Sequence, residues 1–194
     1  MRRKKQGARA LTHAALLVGL VLLLTISGLG YIPFLTFSVT IIHLPVLLAA
    51  LTGGWKSGLI VAFFFGATSW YQNLTAPASV LSPLMINPLV SILPRMMIIP
   101  AMMLTLALMR NCPRKKLVHG VAAAVGSLSN TLFTLSAITA HLLLDASPVG
   151  LDAATVPAMI ATVWSTSAAN AALECAAAVI LCTAVMAAYE RVFK

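Results

Sequence analysis

The chain has 194 residues, of which 60% are hydrophobic and only 9% charged, with a mean hydropathy of +0.98. A soluble globule of this composition has too little polar surface to cover itself, which excludes most cytosolic enzymes and any disordered or fibrous chain. The formal charge of +9 would direct a soluble protein to nucleic acid, but the basic residues cluster between long apolar segments, as in a polytopic membrane protein, and no nucleic-acid partner is expected.

Residues 1–9 form a basic N-terminal segment that opens Met1-Arg2-Arg3-Lys4-Lys5. The apolar run after it is long for a signal core and has no clean small-residue cleavage site, so it reads as a first membrane crossing. A crossing helix needs about 20 mainly apolar residues, with breaks at charge, Pro and Gly. Six spans are predicted on that basis: residues 10–29, 36–52, 57–74, 83–109, 117–143 and 158–189. They make one all-α, six-helix transmembrane domain over residues 10–189, with a tail over 190–194.

All of the 13 basic residues except Arg95 fall before span one, between spans two and three, between four and five, or after six. Six spans put these on one side of the bilayer. The other connections, 30–35, 75–82 and 144–157, hold Asp145 and Asp152 and no Lys or Arg. The positive-inside rule then places both termini in the cytoplasm. Residues 153–189 are too long for one crossing, so part of 153–163 is expected to form a separate outer segment.

Two ionisable residues lie inside spans, Arg95 in the fourth and Glu174 in the sixth. Charges at such depth are costly and mark a site or a pair. Counted at about 1.5 Å per residue from the basic end of each helix, Arg95, Glu174, Asn130, His43 and Asn73 all fall roughly 20–25 Å up, in the outer half of the hydrocarbon layer. Span five carries Ser127, Asn130, Thr131 and Thr134 at i, i+3, i+4 and i+7, one helical face, and span six carries Ser167, Asn170 and Glu174 at i, i+3 and i+7. Polar groups of several helices at one depth describe a binding chamber open to the outside. Interhelical hydrogen bonding accounts for the same stripes, and an Arg95–Glu174 ion pair would satisfy both charges without a ligand.

Other residues are less specific. His43 reads as a packing donor or a ligand contact, and Trp70 and Tyr71 as an interfacial belt or a stacking surface. The methionines Met96, Met97, Met102 and Met103 read as adaptable packing or lipid-facing groups. Cys112, Cys175 and Cys182 form no CxxC and have no His at ligand spacing, so no metal or other cofactor is expected. There is no GxxxxGK[ST], HExxH or GxSxG, so neither ATP hydrolysis nor a membrane protease or esterase is written in the chain. A chamber without an engine implies a binding subunit energised by others.

Several segments carry a family likeness: Thr40-Ile41-Ile42-His43-Leu44-Pro45-Val46, residues 53–66 with Lys56-Ser57-Gly58, Asn87-Pro88-Leu89-Val90-Ser91-Ile92-Leu93-Pro94-Arg95, Gly126-Ser127-Leu128-Ser129-Asn130-Thr131, and the pair Asn170 and Glu174. In this order, over residues 10–194, they resemble the substrate-binding (S) components of energy-coupling factor (ECF) vitamin transporters, the pantothenate-type branch most of all. The chain departs from that pattern at Gly53-Gly54-Trp55-Lys56, where a Gly-Pro-Lys turn is more usual.

The resemblance implies a six-helix bundle in a prokaryotic cell membrane that captures a water-soluble vitamin from outside, pantothenate being the leading candidate. Riboflavin, a modified-base precursor, or a purely structural membrane role are the alternatives. It implies as partners a transmembrane coupling subunit and two cytoplasmic ATPases, whose cycle topples the bundle to release solute inside. Ala10 and Ala14 stand where the family's first helix meets the coupling subunit. Arg95 would take the vitamin carboxylate, Asn130, Asn170 and Glu174 its hydroxyls and amide, with His43, Asn73, Ser127 and Thr131 as further contacts. The connection 30–35 would serve as a lid.

Overall fold

The computed structural model describes the backbone of residues 2–34, 37–77 and 79–192, and the side chains of 11–30, 40–77 and 79–192. In chain order the elements are α1 (Arg2–Ile26), β1 (Tyr31–Phe34), β2 (Phe37–Thr40), α2 (Leu44–Thr75), α3 (Ser82–Met85), α4 (Pro88–Ser91), α5 (Leu93–Leu108), α6 (Lys115–Leu144), a 3-10 turn (Ser147–Val149) and α7 (Val156–Val192). Among the described residues four stretches are long and apolar enough to cross a membrane: α2, Pro88–Leu108, α6 and α7, with a shorter apolar helix over Leu11–Ile26. α1 packs along α2, α5 lies between α2 and α6, and α7 runs along α6.

Among the described residues the fold is helical except for one antiparallel strand pair, in which Tyr31 pairs with Thr40 and Phe34 with Phe37. This corrects the expected second span, in which Phe37–Thr40 are strand. The run Phe37-Ser38-Val39-Thr40-Ile41-Ile42 is aromatic and β-branched, which favours extended backbone, and the helix begins only at Leu44, with Pro45 in its first turn.

The expected second and third spans follow each other within α2 without a loop between them but not in one direction. Gly54 has φ 71° and ψ −168°, a conformation essentially confined to glycine. A Cβ on Gly58 would lie 3.3 Å from Cα of Ala50, although residues eight apart in a straight helix are separated by about 12 Å. α2 is therefore an elbow whose arms, 44–53 and 55–75, fold against each other.

The expected fourth span is broken near its N-terminal end, contrary to one helix over 83–109. Asn87 caps α4 by accepting the N–H of Leu89 at 3.0 Å, with Pro88 at the first helical position. Pro94 then breaks the ladder at the start of α5. The sixth span, in contrast, has no separate outer segment: α7 is one helix of 37 residues.

Small residues let the helices approach. Ala49, Ala50, Ala62, Ala122, Ala123 and Ala178 are all buried in one core with Val46, Leu47, Ile98 and Met102. Gly66 meets the backbone at the α4–α5 joint, where an added Cβ would come within 2.7 Å of Ile92 Cα. Large apolar side chains such as Leu16, Leu104, Leu132 and Ile180 point outward, as a lipid-facing surface requires.

Ala14, expected on an outward surface for a coupling subunit, is instead 2% exposed within the core. Ala10 belongs to the part of α1 whose side chains lie outside the described residues.

Candidate functional site

Arg95 begins as a consequence of Pro94. Proline has no N–H, so the carbonyl of Val90, four residues back, loses its helical donor. Nη1 of Arg95 donates to that carbonyl at 3.2 Å, and Nη2 donates to Oγ of Ser69 on α2 at 3.3 Å. The guanidinium lies over the ring of Phe65, its Cζ 5.7 Å from the centroid, a geometry in which ring and cation attract. A buried charge is thus held by a carbonyl, a hydroxyl and an aromatic face.

Glu174 approaches from α7. Its Oε1 accepts the backbone N–H of Thr40, the last residue of β2, at 2.9 Å. No ion pair joins Arg95 to Glu174 among the described residues. The two side chains instead line a single cavity of about 260 Å³.

The two polar stripes face into the same space. Asn130, Thr131 and Thr134 line it from α6, and Ser167 and Asn170 from α7. Three wall atoms, Oδ1 of Asn130, Oδ1 of Asn170 and Oγ1 of Thr134, are buried without a hydrogen-bond partner among the described residues. Buried polar groups are normally satisfied, and each left alone costs roughly 1–3 kcal/mol. Hydrogen-bonding capacity held open at a cavity wall is capacity available to a solute.

His43, Asn73 and Ser127 are not on the cavity wall. His43 is 1% exposed at the start of α2, and its neighbour Ile42 does line the cavity. Asn73 donates through Nδ2 to the carbonyl of Ser69 at 2.8 Å within its own helix. Ser127 is buried one turn along α6 from Asn130. Trp70 is also occupied, its Nε1 donating to the carbonyl of Ile86 at 2.7 Å.

In place of Asn73, α2 presents Phe65, Ser69 and Gln72. Their spacing of i, i+4 and i+7 is the same kind of helical stripe that marks α6 and α7, and it was the signal available for them. Thr25 and Thr40, at the ends of α1 and β2, also reach the wall, with no periodic pattern to announce them.

Helices of membrane-crossing length around a polar chamber, with cation and carboxylate on different helices, define a membrane solute-binding protein. The model of the family described as ECF transporter, substrate-specific component, matches residues 9–186, and the chain belongs to that family. It is a membrane-embedded substrate-capture subunit of an ECF importer, a transport subunit and not an enzyme, working with a coupling subunit and ATPases on a small-molecule substrate. No curated protein matches the chain.

Proposed function

We propose that this subunit captures a small water-soluble vitamin, pantothenate being the best fit, from the outer side of a prokaryotic cell membrane. One observation carries the reading: Arg95 and Glu174, from separate helices, line one cavity with Asn130 and Asn170. The guanidinium takes the vitamin carboxylate through charge-assisted hydrogen bonds. Asn130, Asn170, Thr131 and Glu174 take its hydroxyls and amide. The compact volume, about 260 Å³, favours a short flexible acid over a flavin. So does the wall chemistry, because Phe65 is the aromatic ring among the lining residues and Arg95 already lies over it.

The chain crosses the membrane six times with both termini cytoplasmic, the elbow at Gly54 returning α2 so that its two arms count as two passes. The basic connections then share one side, in keeping with the positive-inside rule. Two cytoplasmic ATPases drive release through the coupling subunit. Contact through Ala14 requires α1 to part from the bundle, since Ala14 is packed inside it.

The test is calorimetric titration of the purified protein with pantothenate, its alcohol analogue lacking the carboxylate, and riboflavin, with Arg95→Ala as control. Binding of the acid alone, lost in Arg95→Ala, is the expected result. Equal binding of acid and alcohol removes the role of Arg95, and binding of riboflavin in preference to pantothenate removes the vitamin assignment.

A further inference from the structure

A second cavity, of about 430 Å³, lies at the far end of the bundle from the solute chamber, roughly 22 Å along α6 from Asn130. Its wall comes from the first turns of α6 and the last turns of α7: Lys115, Lys116, His119, Ala187, Glu190 and Arg191. Three cations therefore face one carboxylate. Oε1 of Glu190 lies 3.9 Å from Nζ of Lys115, and no hydrogen bond or ion pair among the described residues engages the side chains of Lys116, His119 or Arg191.

The backbone adds charge of the same sign. α6 begins at Lys115 with no side-chain cap and no acidic residue in its first turn. Its first N–H groups therefore stay open at the positive end of the helix dipole, where lysines are disfavoured and an anion is favoured. Orientation of the protein in the membrane calls for basic residues in a connection. It does not call for cations of two helices converging on a concave wall. Leu117 and Val192, the residues that follow Lys116 and Arg191 in the chain, are exposed, so apolar side chains stand next in sequence to the basic ones.

We propose that this cavity binds a phosphate ester group, the chemistry shared by anionic phospholipid headgroups and soluble phosphate compounds, with the lipid favoured because both helices that form the cavity are of membrane-crossing length. Basic pockets between helices at a membrane surface hold anionic headgroups in this way. The site is separate from the solute chamber and does not depend on which vitamin that chamber takes.

The experiment is native mass spectrometry of the full-length protein equilibrated with equal amounts of phosphatidylglycerol and phosphatidylcholine, followed by excess glycerol 3-phosphate. Two double variants with the same net charge are compared, Lys116→Gln/Arg191→Gln inside the cavity and Lys56→Gln/Arg110→Gln outside it. Wild type is expected to retain phosphatidylglycerol selectively. The cavity variant should lose about 25-fold in retention, from the roughly fivefold that each cation near an anionic surface is worth, and the outside variant should lose less than about threefold. Displacement of the lipid by glycerol 3-phosphate assigns the site to soluble phosphate esters as well, and resistance assigns it to lipid. Equal loss in the two variants, or no preference between the lipids together with no binding of glycerol 3-phosphate, overturns the proposal. Thermal unfolding of both variants in detergent verifies that each is folded.

Discussion

The backbone N–H of Thr40 donates to Oε1 of Glu174 across 2.9 Å, joining the end of the hairpin to α7 at the wall of the solute cavity. A solute that engages this carboxylate competes with the hairpin for it, so the two share one acceptor. Glu174→Gln keeps an oxygen there and Glu174→Ala removes it. A hydrogen bond to a charged group is worth about 1.5–3 kcal/mol. Hydrogen exchange at the Thr40 amide is therefore expected to rise about tenfold or more in Glu174→Ala and only a few-fold in Glu174→Gln. Unchanged exchange in both variants would mean that other contacts hold the strand.

Pro94 and Arg95 form a compensating pair through the carbonyl of Val90. Arg95→Ala leaves that carbonyl without its guanidinium donor, costing about 1–3 kcal/mol of stability, and removes the charge at the cavity. Adding Pro94→Ala restores a backbone N–H four residues after Val90. The double variant should recover most of the thermal stability lost by Arg95→Ala while still failing to bind solute. Recovery of binding along with stability would show that Arg95 acts only on the fold.

Asn130 and Asn170 each bury an Oδ1 without a partner among the described residues. Replacing either by Leu removes that polar atom. Unfolding temperature without solute is expected to stay level or rise, while affinity falls at least about tenfold, the equivalent of one lost hydrogen bond near 1.4 kcal/mol. A fall in both would mark these side chains as interhelical glue.

Gly54 sets the elbow of α2 in a conformation that other residues adopt at a cost of about 1–3 kcal/mol. Gly54→Ala should lower the unfolding temperature measurably in detergent. Gly19→Ala, where an added Cβ meets nothing within 4 Å, serves as the control and should leave it unchanged or slightly raised. Equal behaviour of the two would mean that the elbow relaxes without strain.

Membrane residence, the stripes of α6 and α7 and the exceptional standing of Arg95 and Glu174 were legible in the order of residues. The reason is that helical periodicity converts spacing into a shared face, and a charge inside an apolar run is too costly to be incidental. The breaks were less legible. The strands Tyr31–Phe34 and Phe37–Thr40 occupy an apolar stretch that length and hydrophobicity cannot tell from the start of a helix, and the N-terminal part of α7 stays helical where bilayer thickness alone suggested a break.

Depth along a helix can be counted from a sequence, but rotation about its axis cannot. His43 and Asn73 reach the same layer as Arg95 yet lie off the cavity wall, whereas Ser69 and Gln72 are on it. That rotation is set where helix backbones approach each other, as at Gly58 against Ala50 and Gly66 against Ile92. The chain by itself determined which polar groups sit at one level. Only packing between helices decided which of them face each other, because facing requires a fixed angle for each helix as well as a fixed height.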